Sequence, residues 1–431
     1  MDIRSMDETY VANTYDRYAP VLVSGSGSLV FDEDGKRYID LGTGIAVNSF
    51  GVADPVWAAA VAAQASKLQH ACNKYYTAPQ AMLAEKLCRL TGMKKVFFGN
   101  SGAEANECAL KIARKYGGAA RPNIITLKNS FHGRTIATLA ATGQDAMHRD
   151  FGPFPDGFLY APANDLPAMQ SLMDGSVAGV LIELVQGEGG VNVLDADYVR
   201  GVEALCREHD ALLMVDEVQT GNGRTGALYA YQLYGIEPDV VTTAKGLAGG
   251  LPIGAALIGA RAEHVLLSGD HGSTFGGNPV CCAGALAVLD EMDDDFLANV
   301  NERAAQLRAG LAKLPHVREV SGLGLMVGIA FDDGIKAAEA SEDADARRQV
   351  LVDSFYLLRV ACLLMHPVVP VGCEKICDYL SFDFGDFFSW NYDFDSNDEL
   401  CPAIEIDAGA HRIHELPPRF DFFRKHESQY K

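Results

Sequence analysis

Five short apolar runs recur along the first 330 residues: KKVFFGN, PNIITLKNS, VAGVLIELVQ, ALLMVDEVQ and PDVVTTAK. Each is rich in β-branched residues and ends in polar ones. Amphipathic stretches with helical spacing, such as AEANECALKIARKYG and DYVRGVEALCREHD, lie between them. This alternation restricts the fold more than any other feature. Apolar runs of this length are strands buried on both faces, and parallel strands need crossovers long enough to be helices. The expected fold is therefore α/β, a mostly parallel sheet flanked by helices. Ligands of such sheets bind beyond the carboxyl ends of the strands, so the residues just after each run are the first candidates for function.

A length of 431 residues exceeds one ordinary domain and predicts two or three. Acidic residues outnumber basic ones, 57 to 36, and a net charge of −21 argues against nonspecific binding to nucleic acid or to membranes. No apolar run is long enough to span a bilayer, and the start, MDIRSMDETY, has no hydrophobic signal core. The expected location is the cytoplasm. The ten cysteines are scattered without CxxC pairs, which fits free thiols in a reducing compartment and no metal site.

Six segments carry candidate chemistry. In FFGNSGAEANECALKIAR a strand ends near Gly99 and Ser101 opens a helix, with Ser101 and Glu104 at capping-box spacing. Gly102 permits close approach of a ligand, and free N–H groups at a helix start attract an anion. Alone, the segment reads first as an ordinary capped helix. In ALLMVDEVQTGNGRTG, Asp216 ends a buried strand beside Glu217 and Gln219; a carboxylate there needs a partner, either a protonated ring nitrogen or an arginine or cap. In PDVVTTAKGLAGGLPIGA, Lys245 follows a strand and precedes a glycine-rich, uncharged segment. Burial would make its amine a nucleophile able to form a Schiff base, whereas snorkelling to solvent is the bland alternative. NSFHGRTIATLAATG offers Phe131 to stack on a planar ring and Arg134 to clamp a carboxylate, while His132 reads as a satisfied structural residue. ELVQGEGGV sets Glu183, Gln186 and Glu188 around a glycine turn, and GDHGSTFGGNP supplies the hydroxyls of Ser273 and Thr274 for a phosphate. Each signal is weak alone. Together they supply a nucleophilic lysine, a carboxylate for a ring nitrogen, a stacking ring, phosphate donors and a carboxylate clamp. Pyridoxal phosphate requires that set.

These motifs, together with GIAVNSFG and NKYYTAPQ, stand in an order and spacing over residues 10 to about 330 that resemble class III, fold-type I pyridoxal-phosphate aminotransferases, most of all the acetylornithine type. The resemblance implies a role for each matched position. Lys245 would bind the cofactor covalently and later act as the base that shifts the proton. Asp216 would pair with the ring nitrogen, Gln219 with the ring hydroxyl oxygen, and Phe131 would stack on the ring. Gly102 and Ala103 would offer backbone N–H groups to the phosphate. Thr274 would reach the phosphate of the neighbouring subunit, which implies a homodimer with shared active sites. Arg134 and Ser273 would contact the substrate, and Glu188 would let one pocket accept both a basic amino donor and an acidic keto acid. The implied reaction moves the δ-amino group of N-acetylornithine to 2-oxoglutarate. Succinyldiaminopimelate is a second implied donor, and ornithine or 4-aminobutyrate fit the motifs less well.

The chain departs from the family pattern in places. Leu184 stands where a proline is usual, GVADP replaces GHAHP, and Asn222 replaces a usually apolar residue. A larger departure begins near residue 345. Residues 346–431 hold 14 of the 38 aromatics but only 3 of the 43 glycines. The family's LRLLPPL-type segment, with its carboxylate-handling arginine, is not found there. The sequence runs instead through SFYLLRVACLLMHPVVPVGCEKICDYLSFD to HRIHELPPRFDFFRKHESQYK, which resembles the end of the helical domain of methionyl-tRNA synthetases. The HIGH and KMSKS signatures of those enzymes are absent. With nine basic against fourteen acidic residues, the tail is a poor phosphate binder. The expected organisation is an N-terminal segment of a small domain (1–45), a large cofactor-binding domain (46–280), a truncated small domain (281–333), a junction (334–348) and a synthetase-like helical tail (349–431). A catalytically impaired chimera with a surviving cofactor site is the alternative to an active transaminase.

Overall fold

The computed structural model describes residues 2–314 and 316–332; the expected junction and synthetase-like tail lie outside the described residues. Two compact units divide the chain. The first comprises Met1–Gln306 and Val320–Ile329, and the second Leu307–Glu319 and Ala330–Lys431, described only at 307–314, 316–319 and 330–332.

Near the amino end of the first unit, β1 (Leu22–Ser26), β2 (Leu29–Asp32) and β3 (Arg37–Ile39) form an antiparallel sheet. Asp32 closes its second turn by accepting from the N–H groups of Asp34 and Lys36 and from the Tyr38 hydroxyl. The main sheet follows, with β4 (Lys95–Gly99), β5 (Asn123–Leu127), β6 (Phe158–Ala161) and β7 (Val177–Ile182). The pair β8 (Val185–Gln186) and β9 (Asn192–Val193) makes a small hairpin. Then come β10 (Leu212–Asp216), β11 (Val240–Thr243) and β12 (Gly254–Ile258). The spatial order is β4-β12-β11-β10-β7-β5-β6. Only β12 runs against its neighbours; the other six strands point one way. Val317–Leu323 (β13) and Met326–Phe331 (β14) form a separate two-stranded sheet.

The five apolar runs are β4, β5, β7, β10 and β11. Along the central strands, alternate side chains enter two different cores. Val180, Ile182, Leu213, Val215 and Val241 pack with Tyr198, Val199 and Val202 of helix Ala196–Glu208. Leu181, Leu212, Met214 and Val240 pack with Cys108, Ala109, Ile112 and Ala113 of helix Gly102–Gly117. Both faces of β7, β10 and β11 are therefore buried, which is why these strands read as unbroken apolar runs. The glycine-rich stretch after Lys245 contains β12, a fully buried strand of small residues. Its first residue lies so close to the loop after β4 that a Cβ on Gly254 would meet the Ser101 carbonyl oxygen at 2.0 Å.

Two buried carboxylates hold the sheet's connections. Asp239, just before β11, accepts from Arg207 Nη1, from Arg261 Nη1 at 2.8 Å and from the Leu213 N–H at 2.9 Å. Removing it takes the carboxylate acceptor from the Leu213 N–H and from both guanidinium groups, which keep the Glu237 and Ala211 carbonyl oxygens as acceptors. Glu217, just after β10, is fully buried; it accepts from the Tyr231 N–H at 2.7 Å and from the Thr220 hydroxyl. Burial pushes its carboxyl up to about 7, against the pull of those donors.

Asp239→Ala is expected to lower the unfolding free energy by about 3 kcal/mol, measured by urea denaturation; a change under about 0.5 kcal/mol, the ordinary range of a surface substitution, would contradict this account. Glu217 predicts a pH dependence. Above its ordinary range the unfolded chain has released this proton, while the folded protein keeps it up to about pH 7. Stability from this group is thus present at low pH and lost as the pH rises to 7, by on the order of 3 kcal/mol. Glu217→Gln should flatten the fall in unfolding midpoint between pH 5 and pH 7.5. Parallel profiles for the two proteins would contradict that.

Candidate active site

A cavity of about 460 Å³ opens at the carboxyl ends of the strands. Seven of the ten residues expected from sequence line it: Gly102, Ala103, Phe131, Arg134, Asp216, Gln219 and Lys245. They come from the segments after β4, β5, β10 and β11, so the common direction of those strands collects them at one edge.

One end of the cavity is the start of helix Gly102–Gly117. Ser101 Oγ accepts from the Glu104 N–H at 3.2 Å. The reciprocal half of the expected capping box closes one residue early, because the Glu104 carboxylate accepts from the N–H and Nδ2 of Asn100 rather than from Ser101. Gly99 makes room for this: a Cβ there would lie 2.9 Å from Glu104 Cβ. The N–H groups of Gly102 and Ala103 open the helix, where no intrahelical acceptor exists. A Cβ on Gly102 would collide with Val218 Cγ1 at 2.7 Å, so glycine is required.

Asp216, only 4% exposed, forms the floor. Its Oδ2 accepts from Asn106 Nδ2 at 2.7 Å and faces His132 Nδ1 at 2.8 Å, and its Oδ1 accepts from the Val218 N–H at 3.0 Å. Asn106 Oδ1 in turn accepts from the Thr242 hydroxyl, tying the helix to β11. Sequence reasoning missed Asn106, and read His132 as merely structural. The signal for Asn106 was there: it shares the buried helix face with Ala109, Leu110 and Ala113, where a polar residue needs a polar partner. The second ring nitrogen of His132 is buried without a partner among the described residues.

Lys245 starts a short 3-10 turn, Lys245–Ala248, directly after β11 and its following residue Ala244. Its φ of 46° is left-handed, rare for a side-chain-bearing residue. Burial lowers the pKa of its ammonium, opposed by the carboxylates of Glu188, Asp216 and Glu183. Glu183 is itself held well above the usual carboxylate range, by burial first and by the charge of Asp216 second. Its Oε2 accepts from the Phe131 N–H at 2.8 Å, which fixes the ring-bearing loop. The Arg134 guanidinium lies 5.6 Å from the Phe131 ring centroid. It is exposed and, among the described residues, pairs with no carboxylate.

Three expected residues do not line this cavity. Glu188 lies beside it, its Oε1 accepting from Gln219 Nε2 at 3.1 Å. Ser273 Oγ accepts from Asn100 Nδ2 and from the Gly276 N–H, both at 3.0 Å, so its loop is tied to the segment before the helix. Thr274 is exposed on that loop.

Comparison with known proteins follows the same pattern. The profile of the family described as aminotransferase class-III matches residues 10–356. An acetylornithine aminotransferase of Haemophilus ducreyi is 52% identical over 342 residues, covering 78% of this chain and 87% of the relative. One from Methanothermobacter thermautotrophicus is 44% identical over 357 residues, covering 81% and 89%. Among solved structures, the ornithine aminotransferase of Toxoplasma gondii superposes with a TM-score of 0.73 at 34% identity, covering 77% of this chain and 82% of that one. The N-acetylornithine aminotransferase of Stenotrophomonas maltophilia superposes with a TM-score of 0.66 at 37% identity, covering 78% and 85%. Sequence, fold and the gathering of the motif residues agree: this chain belongs to the class III aminotransferases.

Proposed function

We propose that this protein is a pyridoxal-phosphate-dependent transaminase that moves the δ-amino group of N-acetylornithine to 2-oxoglutarate, giving glutamate and N-acetylglutamate semialdehyde. The observation that carries the reading is the convergence of Lys245, Asp216, Phe131 and the Gly102–Ala103 helix start on one cavity, in a chain 52% identical to an acetylornithine aminotransferase. The residues fit the cofactor: an anion-binding helix start with no room for a Cβ at Gly102, a buried carboxylate, a ring and a half-buried amine.

When bound, pyridoxal phosphate supplies an aldehyde that takes up the amino group and a ring that withdraws electrons from the carbon losing its proton. The protein does the rest. Gly102 and Ala103 hold the phosphate through their N–H groups. Asp216, kept in place by Asn106 and His132, receives the ring N–H. Phe131 covers one face of the ring, and Gln219 bonds the ring hydroxyl oxygen. Lys245, its pKa lowered by burial, would carry the proton at Nζ between the two carbons that exchange it. Arg134, with no ion pair among the described residues, would clamp the substrate carboxylate. Glu188 sits where a charge can be offered to a basic donor and withdrawn from an acidic acceptor, and Ser273 completes the substrate end. With the usual small-domain arginine not found in the sequence, Arg134 carries more of the carboxylate recognition.

The working form in this reading is a homodimer. Tyr75, Tyr76 and Phe275 are large exposed side chains on segments joined by the Asn73 side chain, which donates to the Ser273 and Gly276 carbonyls. Covering this patch with a second copy buries it and carries the adjoining Thr274 to the partner's phosphate. No helix among the described residues is long and apolar enough to cross a membrane. The six described free cysteines suit a reducing cytoplasm.

Initial rates with 2-oxoglutarate should rank N-acetylornithine or N-succinyldiaminopimelate above ornithine and 4-aminobutyrate; preference for 4-aminobutyrate would contradict the proposal. Lys245→Ala should lower kcat at least about a thousandfold while the protein still binds the cofactor noncovalently. A retained rate would overturn the assignment. Arg134→Ala should raise KM for N-acetylornithine at least about tenfold with an unchanged melting temperature, since no ion pair among the described residues is lost. An unchanged KM would remove Arg134 from substrate binding.

A further inference from the structure

We infer that Asn222 is a positioning residue for Lys245, its side-chain amide fixing the peptide plane from which the lysine departs; this rests on the reading of Lys245 as the cofactor lysine. Lys245 has an unfavourable left-handed φ of 46°. Such a conformation persists only where its surroundings determine it. The ladder between β11 and β12 ends with Thr243 opposite Ala255, so the Ala244 carbonyl has left the sheet. Asn222 Nδ2 donates to that carbonyl at 3.0 Å and to Thr243 Oγ1 at 3.0 Å. The Ala244 carbonyl and the Lys245 N–H belong to one planar peptide group, so holding the oxygen holds the nitrogen on which the lysine turns.

The amide orientation is not arbitrary. Flipping it would set oxygen against the Ala244 carbonyl. As it stands, Asn222 is 4% exposed and its Oδ1 is buried with no partner among the described residues. Asn222 itself has a left-handed φ of 55°, which asparagine tolerates better than an apolar residue, and from that position its donor end reaches the peptide before the lysine. Asn222 also walls the turn: a Cβ on Gly246 would approach Asn222 Cβ to 3.2 Å and Ser49 Oγ to 2.8 Å. The far end of the same turn is pinned by Trp57 Nε1, which donates to the Ala248 carbonyl at 2.9 Å. The turn bearing Lys245 is thus held by one side-chain donor at each end, and Asn222 is the one next to the lysine.

The experiment is rapid mixing of the full-length apoprotein with pyridoxal phosphate. Noncovalent capture gives a phase whose rate depends on cofactor concentration. Condensation of the Lys245 amine with the aldehyde carbon, which releases one water, gives a later, concentration-independent phase seen as visible absorbance. Asn222→Ala and Asn222→Met should slow the second phase at least fivefold and leave the first unchanged, with the apoprotein melting cooperatively. Thr243→Val, which keeps the bond to Ala244, should change neither phase. A second phase within twofold of wild type in the Asn222 variants overturns the inference, as does an equal slowing of both phases, which marks a merely structural role. Asn222→Met fills the cavity and carries the comparison where Asn222→Ala does not fold. Wild-type protein that binds the cofactor without developing the visible phase refutes the assignment of Lys245 itself, and so separates that failure from this one.

Discussion

The pairing of β10 with β11 in one parallel register governs the rest of the structure. It sets Asp216 beside Thr242, so the carboxylate at the end of one strand and the lysine beyond the end of the next share an edge. Asn106 locks that register from the helix. Its amide donates to Asp216 and accepts from Thr242, bridging both strands with one buried side chain. The same helix begins at Gly102, so the partner of the carboxylate floor and the open N–H groups of the helix start stand at a fixed separation on one rigid element. A slip of one residue between the strands would turn every apolar side chain of β11 to the opposite core and take the site apart with it.

Burial then decides the chemistry. Glu183, Asp216 and Glu217 all lie in the interior at strand ends. Three buried carboxyls beside one another would be costly without donors, and each has at least one: the Phe131 N–H for Glu183, three groups around Asp216, and Thr220 with Tyr231 for Glu217. Burial raises Glu183 and Glu217 and lowers Lys245, so two carboxyls and one amine are all shifted toward neutral forms. The desolvation that shapes the core therefore also shifts the titrating groups that border the cavity.

Much of this was readable in the sequence because the signals were local. Apolar runs buried on both faces identified β4, β5, β7, β10 and β11, and the residue after each run pointed to the edge where the cavity lies. What was not readable depends on pairing distant residues. Asn106 looked like any polar residue in a helix until its face was known. His132 looked structural until its ring was seen against Asp216. β12 was hidden in GLPIGAALIG because it opens on glycine and alanines, and only a glycine at 254 fits against the Ser101 backbone. The capping box was half right, since Gly99 let Glu104 reach back to Asn100. Asn222 stood out as a departure, but its bond to the Ala244 carbonyl becomes visible only when two loops are folded together.

The strand ends bring one lysine, Lys245, to the cavity. Hydride reduction of the protein loaded with pyridoxal phosphate, followed by mass mapping of its peptides, shows whether that lysine is the one the cofactor takes. A single pyridoxyl adduct on Lys245 is expected. An adduct on another lysine, or none in protein that has bound the cofactor, would contradict that expectation.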